Sequence, residues 1–268
     1  MKAIFSIFKL NFLNYLQYRI QALAGIATQF FFGFVFIMVY VAFYESGNIE
    51  KLPMPLNQLV SYLWLNQSFF SLIYMWTKEK ELLLMIKNGN VAYELVRPIN
   101  FYFKWYVTMI SKRLAMAMLK FLPVLVVAYF LPEPFNLILP NSIESLMLFC
   151  ISLVLSTFLV VAINMVMHII TFFTLNEKGV LEIFMSTSEI LAGGTVPLVM
   201  FPMFLYKIAY ILPFRYTCDL PFRIYTGNIS VNAAIPDVIG SFIWTIIIII
   251  VGYLLTKKAL KKAIIQGG

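Results

Sequence analysis

Apolar segments of about 20 residues recur along this chain, and no other feature restricts its possible folds as much. A helix needs about that many apolar residues to cross the hydrocarbon core of a bilayer. The 268 residues are 62% hydrophobic and only 12% charged, about half the charged fraction of a typical soluble domain. So few charges cannot cover a water-facing surface of ordinary size. The sequence therefore predicts an all-α integral membrane protein, with residues 1–268 forming a single transmembrane domain.

Charged residues, Pro and Gly divide the chain into six predicted transmembrane helices. These are residues 22–44, 58–76, 106–131, 143–173, a broken fifth span that enters at 181, and 235–256. Residues 1–21 do not form a signal peptide, because polar residues interrupt any apolar core. On a helix, Phe5, Phe8, Phe12 and Leu16 share one face. This pattern indicates an amphipathic helix at the membrane interface, and the alternative is a frayed first turn of span 1.

The fifth span is interrupted within residues 181–214. Gly193 and Gly194 are followed by Pro197, and Gly and Pro are about 1 and 3 kcal/mol worse than Ala inside a helix. Backbone freed at membrane depth persists only where protein or a wet cavity surrounds it. Such a break is typical of membrane proteins that transport a substrate.

Lys and Arg are distributed unequally between the two sides, which predicts the orientation because cytosolic loops carry the excess. One side holds fifteen of the 20 basic residues, namely Lys2, Lys9, Arg19, Lys78, Lys80, Lys87, Arg97, Lys104, Lys112, Arg113, Lys178, Lys257, Lys258, Lys261 and Lys262. Both termini are then cytosolic, including a basic tail at 257–268, and the number of crossings is even. Residues 196–212 are therefore predicted to enter and leave on the same side, as a re-entrant hairpin. Anionic lipid headgroups account for the net charge of +8, and no nucleic acid is needed.

Polar residues inside the spans are candidates for a transport pathway, since such groups are costly in lipid and usually face a bundle or cavity. They are Glu189, Asn164, His168, Asn66 and Gln67. The alternative is that they form interhelical hydrogen bonds, worth about 0.6 kcal/mol each on average. Glu189 is the strongest candidate because it lies beside the helix break. No Cys/His/carboxylate cluster accompanies His168, so no metal site is predicted, and no catalytic residue is identified.

The loop at 77–104 is the longest polar segment and contains a short predicted helix. Asn88 or Asn90 can cap its start, and Pro98 ends it. Val91 and Leu95, four residues apart, would present a small apolar face. That face either contacts a cytosolic partner or lies against the chain's own bundle.

Two motifs resemble those of type-2 ABC exporter permeases, in the branch whose six-span subunits pair beneath two ATPase subunits. The first is Gly89 followed by Leu95-Val96-Arg97-Pro98, which resembles the coupling segment between spans 2 and 3. The second runs Leu191-Ala192-Gly193-Gly194-Thr195-Val196-Pro197-Leu198, then Phe201-Pro202 and Leu212-Pro213-Phe214, and resembles the broken fifth span with its re-entrant hairpin. The terminal Gln266-Gly267-Gly268 also resembles tails of this branch.

The resemblance implies a non-catalytic permease subunit of a bacterial plasma membrane exporter for a hydrophobic or amphipathic substrate. Its partners would be two ABC ATPase subunits, a second permease subunit that is identical or homologous, and membrane lipid. Contact with the ATPases would involve Gly89, Val91, Leu95, Arg97 and Pro98 in a cytosolic coupling helix. The outward gate would comprise Gly193, Gly194, Pro197, Phe201, Pro202, Pro213 and Phe214. The sequence lacks a G-x-x-x-x-G-K-[ST] phosphate loop, so ATP and Mg²⁺ would bind to the partner ATPases and no cofactor to this chain.

Two other classes of function compete with this one. A self-sufficient secondary transporter also uses broken helices, but usually has corresponding breaks in two repeats, whereas this chain has one conspicuous break. A membrane-embedded enzyme would need converging acids, bases or metal ligands, and neither H-E-x-x-H nor G-x-S-x-G is present.

Overall fold

The computed structural model describes residues 2–46, 53–91, 94, 96, 98–174 and 177–266. Every regular element within those ranges is a helix, and none is a strand, which confirms the predicted all-α class. Several predictions fall on residues outside these ranges. They concern Leu95 and Arg97 of the coupling segment, and Gly267 and Gly268 at the end of the tail.

Ten α-helices follow one another in the part of the chain that the structure describes. They are α1 (Lys2–Leu16), α2 (Arg19–Ser46), α3 (Leu56–Ile73), α4 (Lys80–Lys87), α5 (Phe101–Phe130), α6 (Ile143–Ile170), α7 (Glu177–Ala192), α8 (Met203–Ile211), α9 (Asp219–Tyr225) and α10 (Val231–Gln266). Short 3-10 turns lie at Thr171–Phe173, Leu198–Met200 and Pro213–Tyr216.

Four of the described helices are long and apolar enough to cross a membrane: α2, α5, α6 with its 3-10 turn, and α10. The predicted second span, α3, is not among them, because polar residues such as Ser61, Asn66 and Gln67 interrupt its apolar sequence. These polar side chains are buried inside the protein. The count of six crossings therefore stays a prediction.

The core of the bundle forms around α3. Trp64 of α3 packs edge-on against Phe34 of α2, with ring centroids 5.3 Å apart. One turn further along, Phe69 stacks on Phe121 of α5 at 5.7 Å and meets Phe149 of α6 at 5.6 Å. Aromatic pairs at these distances add about 0.5–1.5 kcal/mol each beyond burial. Three neighbouring helices thus enclose α3, whose polar residues would be costly in contact with lipid.

The N-terminal helix α1 packs against the start of α5. Phe8 joins the apolar cluster around Tyr102 and Trp105, and the Lys112 ammonium lies 5.4 Å from the ring centroid of Tyr15. The other side of α1 leaves Phe5 and Leu13 exposed. Phe5, which was expected on the same face as Phe8, therefore does not share its packing, and the place of the helix at a membrane interface stays a prediction.

Two described helices, α9 and α4, lie outside the helices predicted from the sequence. The stretch 214–234 includes α9, because Leu220, Phe222 and Ile224 are buried in the core cluster. The loop 77–104 includes α4, which the sequence analysis did not predict. In α4, Leu82 is buried in the cluster around Tyr102 and Trp105, and Met85 and Ile86 pack against that cluster.

Candidate functional site

Helix α7 ends at the predicted glycine pair. Gly193 has φ of +79°, a left-handed conformation that costs little only for glycine. A Cβ at this position would lie 3.0 Å from the Tyr62 hydroxyl and 3.2 Å from Cβ of Asp219. Both the backbone conformation and the close packing therefore require glycine here.

Two side chains from α3 bind the carbonyl groups that the end of α7 leaves without helical partners. The Tyr62 hydroxyl donates to the carbonyl oxygen of Gly193 at 2.8 Å. One turn further along α3, the Asn66 amide donates to the carbonyl oxygen of Gly194, also at 2.8 Å. Carbonyls freed inside an apolar bundle need such donors. Helix α3 therefore stabilises the break in α7.

Asp219 holds the segment that follows the break. Its Oδ1 accepts a hydrogen bond from the backbone N–H of Leu198 at 3.1 Å, and its Oδ2 lies 3.3 Å from a guanidinium nitrogen of Arg223. Burial raises the pKa of Asp219, although Arg223 acts in the opposite direction. Beside it, the Cys218 thiol accepts from Asn66 at 3.4 Å.

The segment beyond the break carries the remaining residues of the predicted gate. Pro197 and Phe201 flank the 3-10 turn Leu198–Met200, and Pro202 precedes α8. Pro213 begins the next 3-10 turn, and the Phe214 ring then packs against Phe184 of α7, 6.1 Å between centroids. The chain thus returns to the side of α7 before α9 begins.

An ion pair attaches the end of this segment to α10. The Arg215 guanidinium binds Asp237 through two nitrogens, at 3.0 and 2.5 Å, and it also donates to the Tyr216 hydroxyl at 3.0 Å. Its central carbon lies 3.8 Å from the ring centroid of Tyr210. A two-pronged pair of this kind fixes orientation as well as distance.

A second polar network surrounds residues 74–79, which connect α3 to α4 and are called the strap below. Arg113 of α5 is buried and donates to the carbonyl oxygens of Leu72 at 3.1 Å and Tyr74 at 2.9 Å. It also donates to the Thr77 hydroxyl at 2.8 Å. A cation here satisfies the last carbonyls of α3 and complements its helix dipole.

Two residues of helix α6, Asn164 and His168, form hydrogen bonds with the strap. The Glu79 backbone N–H donates to Nε2 of His168 at 3.0 Å. Its Nδ1 therefore carries the proton and donates to the carbonyl oxygen of Asn164 at 2.6 Å. The Asn164 side-chain amide is oriented with its nitrogen toward Met75, and this nitrogen donates to the Met75 carbonyl oxygen at 3.2 Å. The Asn164 side-chain oxygen accepts from the Arg113 guanidinium at 2.5 Å.

Glu189 of α7 connects the strap to the helix break. The backbone of Met75 lies beside its carboxylate. The same carboxylate packs on Gly194 so closely that a Cβ there would overlap Oε1. At the other end of the strap, Lys112 pairs with Glu79 at 2.9 Å. Side chains from α5, α6 and α7 therefore all bind the strap.

The predicted coupling segment is described only in part. Gly89 has φ of +70° in open space, and Pro98 is exposed. Val91 and Glu94 have helical backbone. Val91 is buried in the cluster around Trp105, and Glu94 forms an ion pair with Lys104. The apolar face at Val91 thus contacts the chain's own bundle.

The candidate pathway residues divide into separate groups. Asn164, His168 and Glu189 converge on the strap, whereas Asn66 binds the break. Gln67 lies apart from both and packs beside Gly33 of α2, where an added Cβ would lie 3.4 Å from Cγ of Gln67. The sequence analysis did not identify the roles of Tyr62, Arg113 or Asp219, whose partners are distant in sequence. No group of three or more potential metal-ligating side chains occurs within the described ranges.

Comparison with known proteins assigns the chain to a family. A search of curated proteins found no match. The sequence model of the family described as ABC-2 family transporter protein matches residues 64–267. The match covers well over half of the 268 residues and includes both the strap and the break in α7. The chain therefore belongs to the ABC-2 transporter family.

Proposed function

We propose that the chain is the permease subunit of an ATP-driven exporter, with six crossings and both termini in the cytosol. It would assemble with a second permease subunit, identical or homologous, and with two separate ATPase subunits that bind ATP and Mg²⁺. Its substrate would be hydrophobic or amphipathic and would move outward by alternating access. The family match supports the transport component. The direction, the substrate class and the partner subunits rest on the sequence resemblance, and the route of coupling rests on the geometry described above.

The observation that carries the proposal is the attachment of the strap to three helices, α5, α6 and α7, of which α5 and α6 are long and apolar enough to cross a membrane. The strap leads directly into α4 and the loop 77–104, which is the part of the chain predicted to meet the ATPases. Arg113, Asn164, His168 and Glu189 bind it from α5, α6 and α7. Hydrogen bonds to charged groups contribute about 1.5–3 kcal/mol each. A displacement of the loop would therefore move these helices together with the strap.

The same connections lead from the strap to the break. Closure of the ATPases on ATP would press on the loop 77–104 and shift the strap. Glu189 would transmit that shift to the end of α7, where Gly193 and Gly194 are bound by α3. Breaking and re-forming the bonds of Tyr62 and Asn66 to these carbonyls would free residues 193–214 to open as the outward gate.

The surface of α8 supports a re-entrant position for this segment. Met203, Phe204 and Ile211 are each about 70% exposed (69%, 72% and 72%). An apolar surface of that kind on a short helix is stabilised by lipid or by a partner subunit rather than by water. Nine residues are too few to cross a bilayer.

Purification of the tagged full-length chain from its own membrane tests the proposal. We expect an ATPase with a phosphate-loop motif to copurify, and the complex to hydrolyse ATP in lipid nanodiscs. Glu189→Gln should change the hydrolysis rate severalfold, whereas Glu144→Gln should not, because Glu144 is exposed on α6. A chain that purifies without any ATPase and transports a substrate on an ion gradient alone would contradict the proposal.

A further inference from the structure

Lys120 is a charged residue within α5, a helix that is long and apolar enough to cross a membrane. It lies seven residues beyond Arg113, which places it about 10 Å further along the helix than the strap. Lys120 is partly exposed, and it forms no ion pair with any described residue. Charges at membrane depth usually pair with another group. The described part of the chain therefore leaves this ammonium without a counter-charge.

A glycine of α2 sets the position of the Lys120 ammonium. A Cβ on Gly25 would lie 2.6 Å from Nζ of Lys120 and 2.8 Å from its Cε. The lysine thus occupies the space that any other residue at position 25 would need. Nearer the N-terminus, Lys112 of α5 lies beside Tyr15 of α1. These two contacts show that α2 and α5 run in the same direction, with the ammonium at the seam between them.

The residues along this seam change from polar to apolar with depth. One turn before Gly25, the exposed Gln21 offers a side-chain amide on the same face of α2. Seven residues beyond Gly25 and Lys120, on the same faces, lie Phe32 and Val127, which are 46% and 43% exposed. The seam therefore presents hydrogen-bond donors at one end and open apolar surface at the other.

We propose that the seam between α2 and α5 binds a phospholipid whose headgroup has a net negative charge, as in phosphatidylglycerol. The lipid phosphate accepts hydrogen bonds from the Lys120 ammonium and supplies its counter-charge, and the acyl chains lie along Phe32 and Val127. In the orientation of the proposed function, this lipid belongs to the inner leaflet. The inference needs α2 and α5 to cross the membrane, but it does not depend on the direction or the energy source of transport.

The headgroup charge predicts the selectivity. Phosphatidylcholine carries the same phosphate, but its own cation balances that charge and is repelled by Lys120. Loss of a hydrogen bond to a charged group corresponds to about a tenfold change in affinity. The net charge of +8 also attracts anionic lipids in general. A specific site differs from that attraction because it holds one lipid and depends on one lysine.

Native mass spectrometry of the full-length chain in detergent tests the site. The probes are phosphatidylglycerol and phosphatidylcholine with identical acyl chains, added at equal concentration. We expect one phosphatidylglycerol to be retained about tenfold more than phosphatidylcholine. Lys120→Met keeps an unbranched apolar stem and removes the charge, so it should abolish this preference. Lys258→Gln is the matched control, because it removes one charge from an exposed position on α10 and should leave the preference unchanged.

Gly25→Ala tests the geometry without a change in charge. The added methyl group displaces the ammonium, whereas alanine favours helix more than glycine does, so thermal unfolding should be no less stable than in the parent chain. We expect phosphatidylglycerol retention to fall severalfold, and Gly25→Ala to have no further effect in a Lys120→Met background.

Three results would overturn the proposal. The first is equal retention of the two lipids by the parent chain. The second is unchanged phosphatidylglycerol retention in either Lys120→Met or Gly25→Ala, and the third is an equal loss in Lys258→Gln. None of these results bears on the proposed exporter, because the assay contains neither ATPase nor transported substrate.

Discussion

The side-chain amide of Asn66 donates a 2.8 Å hydrogen bond to the carbonyl oxygen of Gly194, 128 residues further along the chain. Asn66 lies in α3, which its neighbours largely enclose, and Gly194 lies where α7 ends. A buried polar residue is thereby matched to a carbonyl that the end of another helix has freed. This pair joins the two halves of the chain at the predicted gate.

Asn66→Ala should destabilise the protein by about 1–3 kcal/mol, because it leaves the buried Gly194 carbonyl without a donor. This exceeds the average of about 0.6 kcal/mol for interhelical hydrogen bonds in membranes, since α7 has ended and supplies no alternative donor. Thermal unfolding in one detergent measures the effect. Thr28→Ala is the control, because its exposed hydroxyl bonds only its own helix. Equal effects of the two substitutions would refute the role of Asn66.

Gly194→Ala should depend on the residue at position 189. A Cβ on residue 194 would overlap Oε1 of Glu189, so the carboxylate must leave its place near Met75. In a Glu189→Ala background that conflict is absent. We therefore expect the two substitutions to be non-additive by about 1 kcal/mol or more in unfolding free energy. Strict additivity would mean that the carboxylate does not pack on Gly194.

Arg113→Lys should loosen the strap although it keeps the positive charge. A lysine cannot reproduce the planar set of donors that reaches Leu72, Tyr74 and Thr77 together. We expect a loss of about 2 kcal/mol and faster hydrogen exchange at the amides of residues 75–79. Arg19→Lys, at an exposed position, should change neither quantity. Unaltered exchange in the strap of Arg113→Lys would argue against its anchoring role.

Arg215→Lys should free the end of the segment that follows the break. The substitution removes the two-pronged contact with Asp237 and the stacking on Tyr210. Breaking a buried ion pair costs about 3–5 kcal/mol, and retention of the charge should reduce that cost. Hydrogen exchange across 203–216 should accelerate, while exchange in α3 stays the same. The idea fails if exchange in 203–216 is unchanged.

The sequence predicted the features that depend on local chemistry. Gly193 ends α7 because a glycine pair before Pro197 disfavours helix wherever it occurs. Long apolar stretches likewise predicted α2, α5, α6 and α10, with ends that differ by about five residues or fewer, except that α10 extends to Gln266, ten residues past its predicted end. The apolar spacing of Leu82, Met85 and Ile86 is a local signal of the same kind and indicates α4.

The partners of the polar residues could not be predicted, because they come from remote parts of the chain. Nothing in the local sequence distinguishes Tyr62 from the other aromatic residues, and only the tertiary fold places its hydroxyl 2.8 Å from the Gly193 carbonyl oxygen. Arg113 was assigned to the cytosolic edge by counting charges, which indicates a side but not a partner. Asn164 and His168 were predicted as pathway candidates inside a span, yet their contact with the strap depends on the tertiary arrangement of α3 and α6.

Accessibility of Cys218 during ATP turnover tests the central claim most directly. The thiol is buried beside the break, and burial raises its pKa well above the usual value, so it should react slowly in the closed structure. The experiment uses the permease with its ATPase subunits, carries Cys150→Ser, and applies a small membrane-impermeant thiol reagent from outside. We expect ATP hydrolysis to accelerate labelling at least about tenfold, and Arg113→Lys to reduce that acceleration. A labelling rate that is the same with and without ATP, in a complex that transports normally, would contradict the account.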